Sequence, residues 1–142
     1  MDDDERQRIS DEIAAARTET GRRRYLEVMV REAPPPVSPF LESGVVDAVF
    51  AELWNRPGLS RRDRRWVTLA CVAAAAVDEP IYQHVYAALA SGDITRQEFQ
   101  EFVLHFAYYA GWPRASSMEM TYYRVVAELD AEAAEAGGDP AS

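Results

Sequence analysis

Residues 60–77 read Ser60-Arg61-Arg62-Asp63-Arg64-Arg65-Trp66-Val67-Thr68-Leu69-Ala70-Cys71-Val72-Ala73-Ala74-Ala75-Ala76-Val77. Ser60-x-x-Asp63 is a capping box with the shorter acid, and it opens a segment predicted to be helical to about Ala76. From Val67 the segment is apolar on every side, with only Thr68 and Cys71 weakly polar. Such a helix belongs at the centre of a domain, buried all round by neighbours that approach closely over small side chains. In a chain of 142 residues, one way to bury it is across a subunit interface, which points to an oligomer.

Helical periodicity continues on both sides. Upstream, Val46, Val49, Phe50 and Leu53 form an i, i+3, i+4, i+7 stripe that ends at Pro57-Gly58. Downstream, Asp78 is the expected N-cap of a helix that tolerates Pro80 in its first turn and closes at Gly92. Thr95-x-x-Glu98 is a full capping box before Phe99, Phe102, Val103, Phe106 and Ala107, and Gly111 and Pro113 stop that helix. A last helix carries Met118, Tyr122, Val125, Val126 and Leu129 on one face and frays after Gly137-Gly138. Towards the N-terminus, Ser10 is the expected cap of a helix that Gly21 interrupts. A second stretch resumes at Leu26, Met29 and Val30, and Pro34-Pro35-Pro36 blocks any helix after it. Period-2 alternation and hairpin turns are missing. The expected fold is all-α, one compact domain of about six helices over 13–130.

The formal net charge of −9 lies at the two ends. Residues 1–12 hold six acids and two arginines, residues 127–142 hold five acids and no base, and the body between them is neutral. We expect disordered acidic tails over 1–12 and 131–142. Acidic ends without a basic stripe argue against a nucleic-acid partner. No apolar run approaches the roughly 20 residues of a membrane span, and the N-terminus Met1-Asp2-Asp3-Asp4-Glu5 is the opposite of a cationic leader. One cysteine forms no internal disulfide, as suits a reducing cytoplasm. All basic residues are arginine, which excludes Schiff-base chemistry on lysine. Two histidines 21 residues apart, with no paired cysteines, do not make a metal site, and no Gly-rich phosphate loop is present.

The order of motifs is more specific than any one of them. Gly21-Arg22-x-x-x-Leu26-x-Val28 is followed by Leu53-Trp54-Asn55-Arg56-Pro57-Gly58-Leu59-Ser60-Arg61-Arg62-x-Arg64 and Val67-Thr68-Leu69-Ala70. Then come His84, Ala87-x-Leu89-x-x-Gly92, Ile94-Thr95-x-x-Glu98, Glu101 and Tyr109-x-Gly111-x-Pro113. Over residues 21–130 this resembles the carboxymuconolactone decarboxylase family. The resemblance implies a small all-helical fold in trimers or hexamers, with a pocket between helices near subunit contacts. It also implies cofactor-free decarboxylation of a lactone, or, in the alkylhydroperoxidase D branch, peroxide reduction. The Cys-x-x-Cys of that branch would fall at Val77 and Pro80 and its glutamate at Arg65, so thiol peroxidase chemistry has no thiolate here. The pocket departs from the lactone decarboxylases too. Proline stands at position 80 where they carry glutamate, with Glu79 one step away, His105 replaces a usual glutamine, and Ala110 a usual cysteine.

On this resemblance His84 is the expected proton donor, because imidazole exchanges protons near neutrality. His105, Glu101 one turn before it, and Glu79 complete the candidate catalytic set. Arg64 matches the family motif and suits a departing carboxylate through its planar fork. Trp54, Tyr82, Tyr109 and Trp112 are candidate walls for a flat ring. Cys71 reads as an inert buried thiol. The expected function is cofactor-independent loss of carbon dioxide from a small acidic, lactone-like or cyclic carbonyl substrate, with secondary metabolism as its expected setting. Two alternatives stay open: isomerisation, cyclisation or ring-opening on the same acid–base pair, and a non-catalytic oligomeric binding or scaffold protein.

Overall fold

Helices follow one another in the computed structural model, which describes residues 1–137: α1 Asp3–Met29, a π-type helix Phe40–Glu52 with a 3-10 turn Leu53–Asn55, α2 Arg61–Ala75, α3 Asp78–Ala90, α4 Arg96–Ala110 and α5 Trp112–Gly137. No strand occurs among the described residues, so the all-α expectation holds. They group into two compact units that divide at Arg61/Arg62, where the sequence shows no boundary.

In the first unit α1 is one unbroken helix rather than an acidic tail and two short stretches. Asp2, not Ser10, is its cap: the carboxylate accepts from the Glu5 amide at 2.7 Å. Asp3, Asp4 and Glu5 then face the positive end of the helix dipole, which makes the acidic run a helix start. Gly21 does not break the helix because it is a packing position. A Cβ there would meet the Val46 carbonyl oxygen at 2.2 Å, so only glycine lets α1 and the π-type helix touch backbone to backbone. Tyr25, Val28 and Met29 bury beside it, with Tyr25 on Phe50 at 4.6 Å between ring centroids and Trp54 stacked on Phe50 at 6.2 Å. The stripe Val46, Phe50 is buried as expected, but Leu53 is 48 % exposed. Bonds from i to i+5 advance each residue by a smaller angle than α bonds, so an α-spaced stripe drifts out of register by its end. Polar ties finish the unit: Thr18 to Asp47 at 2.9 Å, Arg24 to Asn55 at 2.6 Å, and Arg17 with Glu52.

The second unit packs α2 to α5 around Leu69, Ala73, Ile81, Val85, Ile94, Phe99, Val103, Met118, Tyr122 and Val125. Capping at α4 is as expected: the Thr95 hydroxyl accepts from the Glu98 amide at 3.2 Å and the Glu98 carboxylate accepts from the Thr95 amide at 2.9 Å. At α3 the cap position falls on Val77, and Asp78 is the first helical residue. The central helix is the main correction. Only Arg65, Leu69 and Ala73 of α2 are buried, whereas Val67 is 54 % exposed and Cys71 is exposed, not buried. A helix apolar all round buries one stripe within a four-helix unit, and the chain alone leaves the opposite side open. Residues 131–137 continue α5, and the rest of the expected C-terminal tail lies outside the described residues. No helix among the described residues is long and apolar enough to cross a membrane.

Candidate functional site

The polar residue in the core of the second unit is Arg65, with 0 % exposure. It sits one and two helical turns before Leu69 and Ala73, in register with the buried stripe of α2. A fully buried guanidinium is tolerated only when paired and hydrogen-bonded. The α3–α4 loop supplies that pairing: Arg65 Nη2 donates to Asp93 Oδ2 at 2.9 Å and lies 3.4 Å from Ser91 Oγ. Gly92, at φ 73°, turns the loop back, and Ser91 Oγ accepts from the Asp93 amide at 3.3 Å. One turn earlier Arg62 grips the same region, with Nη2 on Glu98 Oε1 at 2.6 Å and Nη1 on the Asp93 carbonyl. This contact, then the Thr95 bonds, holds the Glu98 carboxyl down at about 2.

His84 projects from α3 into this charged neighbourhood. Its ring is mostly buried, and Nδ1 has no hydrogen-bond partner among the described residues. Burial first, and then the positive charge of Arg65, push its pKa down to about 4. His84 is therefore neutral near pH 7. To act as the expected proton donor it first takes up a proton. Arg64, the arginine the motif points to, is half-buried on α2, and the arginine whose charge reaches His84 is its neighbour Arg65. The register with Leu69 and Ala73 is the signal that distinguishes the two.

The second histidine lies elsewhere on the unit. His105 is exposed on α4, stacked on Tyr109 at 4.8 Å, and opens with Glu101 on a shallow groove of about 440 Å³ floored by Trp66 and Phe102. Glu101 and His105 line the same groove, as their one-turn spacing implies, and His84 is not among its walls. Glu79 is exposed and accepts from Gln83 at 2.8 Å. Tyr82 donates to both oxygens of Glu128, at 2.9 and 2.7 Å, under the guanidinium of Arg124 at 4.3 Å. Trp112 is 63 % exposed and lies against Tyr108. Trp54 is a core residue of the first unit. The nine candidates are thus spread over several places, and His84 and the Glu101–His105 pair are separate.

The sequence profile of the carboxymuconolactone decarboxylase family matches residues 40–119, more than half the chain. The chain belongs to the carboxymuconolactone decarboxylase family. Among curated relatives, it is 35 % identical over 68 residues to 4-carboxymuconolactone decarboxylase of Acinetobacter baylyi, covering 48 % of this chain and 50 % of that protein. It is 31 % identical over 111 residues to nitrosuccinic acid decarboxylase of Metarhizium robertsii, covering 78 % of this chain and 76 % of that protein. The chain therefore spans half the length of the first relative and about three quarters of the second. For this family member the match spans His84, Arg65, Asp93 and the Glu101–His105 groove, while α1 precedes it.

Proposed function

We propose that the chain is a decarboxylase that removes carbon dioxide from a small carboxylic acid by proton transfer, with no cofactor. The observation that carries this reading is His84, a neutral imidazole with an unpartnered Nδ1 in the field of a buried arginine. Two named decarboxylases among the chain's relatives support the reaction class. A substrate whose carboxylate sits on a carbon conjugated with a carbonyl, lactone or nitro group carries its own electron sink. The carbon–carboxylate bond breaks, its electron pair passes into that sink, and carbon dioxide leaves. The resulting carbanion then takes one proton at carbon. The negative charge of a bound anionic substrate beside His84 offsets the field of Arg65 at the imidazole. That raises the imidazole pKa on binding, so His84 takes up a proton with the substrate and delivers it to carbon. Carbon dioxide release from a panel of β-keto acids, γ-carboxy lactones and α-nitro acids tests the reading. Wild type should turn over at least one of them, and His84→Ala should lose about 10²-fold or more while its helical circular dichroism is unchanged. Release by the variant at the wild-type rate would overturn it.

We infer further that a second copy covers the open side of α2, in a trimer or hexamer. Val67, Cys71 and Val77 are the exposed residues that support this. Sedimentation of the full chain reads the assembly directly. We assign the protein to the cytoplasm, where a single exposed thiol stays reduced.

A further inference from the structure

Between α4 and α5 lies a cavity of about 330 Å³ that the decarboxylase reading does not use. Its walls are Val103, Leu104 and Ala107 on one side and Ala115 on the other, with the Trp112 indole beside them. His84, Arg65 and Asp93 are not among them. A dry cavity of about 150 Å³ already accepts a benzene ring, so this one has room for a ring with substituents. Three polar groups meet the apolar walls: Gln100 from α4, and Ser116 and Glu119 from α5. The side-chain nitrogen of Gln100 is buried and has no hydrogen-bond partner among the described residues. A buried amide donor without an acceptor is costly, and a ligand that brings an acceptor relieves that cost. Glu119 hydrogen-bonds the Tyr123 hydroxyl and keeps further lone pairs for a donor on the ligand. Its negative charge in a mostly apolar cleft repels a carboxylate.

We propose that this cavity is a second binding site, for a neutral, flat, ring-bearing molecule that carries a hydrogen-bond acceptor and donor side by side, as an aromatic or cyclic amide does. The amide carbonyl accepts from Gln100, the amide N–H donates to Glu119, and the ring lies in the cleft beside Trp112. Such a ligand differs in charge from the acid that the His84 site would bind, so the two sites sort small molecules by charge.

Titration of the isotopically labelled full chain with benzamide, followed by nuclear magnetic resonance, tests the site, with benzoate as the matched anion. Benzamide should shift the Gln100 side-chain amide and the Trp112 indole N–H saturably. Benzoate should bind about tenfold or more weakly. Gln100→Leu should weaken benzamide by a similar factor, and Glu119→Gln should narrow the gap between the two probes. Should Gln100→Leu unfold, Ser116→Leu at the exposed rim blocks the cleft instead and should abolish the shifts. Unmoved Gln100 and Trp112 resonances, equal binding of the two probes, or shifts that survive the blocking substitutions would overturn the proposal. Carbon dioxide release plays no part in these readouts, so the site and the decarboxylase reading succeed or fail separately.

Discussion

The two units are both helical and are held together in different ways. The first, through Arg61, joins α1 to the π-type helix by a close backbone approach at Gly21, buried Val28, Met29 and Val46, a short line of aromatic rings and polar ties at the surface, with the N-terminal half of α1 exposed. The second surrounds a four-helix apolar core and places a charge inside it. Chemistry follows the second arrangement. Burial of the imidazole, and then the nearby buried guanidinium, lower the pKa of His84, whereas the exposed ion pairs of the first unit have no such leverage.

The contrast breaks most sharply at Arg65. Arg65→Met strands the Asp93 carboxylate in the core, and denaturant unfolding should show a loss of about 3–5 kcal/mol confined to the second unit. Arg65→Met with Asp93→Asn should recover a large part of it. An equal loss in the single and double variants would mean that the pairing is not what holds the loop.

Next in size is the pH response. His84 has a folded pKa of about 4 against an ordinary 6.5, so between these values the unfolded chain binds a proton that the folded chain refuses. Stability from this group is fully present above pH 6.5, falls as the pH drops through that value, and levels off below pH 4, a loss of about 3 kcal/mol. His84→Gln should flatten this limb in a pH series of urea midpoints. A wild-type limb that persists in the variant would assign the response to other groups.

The first unit has its own sensitive point. Glycine to alanine inside a helix ordinarily stabilises by about 0.5–1 kcal/mol. Gly21→Ala should instead destabilise by about 1–3 kcal/mol, because the new methyl overlaps the Val46 carbonyl. Hydrogen exchange should accelerate in residues 18–54 and stay unchanged in α4. The smallest effect is expected at Thr95→Ala, which removes one half of the capping box for about 1 kcal/mol and should fray only the first turn of α4.

Much of the architecture was legible along the chain because its signals are local. Thr95-x-x-Glu98, Pro80 in a first turn and Gly111 after a helix act through neighbouring backbone groups, and all three stand where the sequence places them. Gly21 misled for the same reason: as a local signal it breaks a helix, and its role is a contact with Val46, 25 residues on. The acidic N-terminus misled through composition, since charge alone does not distinguish a solvated tail from the first turn of a capped helix.

The sequence by itself determined the all-helical class, the capping box at Thr95, the stop at Gly111 and the family, through residue patterns that need no partner to be read. Tertiary structure alone decided which stripe of the apolar α2 is buried, which of two adjacent arginines enters the core, and that His84 is neutral there. The burial of Arg65 rests on Asp93, 28 residues beyond it, and the neutrality of His84 on its own burial and then on Arg65. Burial and charge pairing are properties of what the fold brings together, and the order of residues along the chain does not contain them.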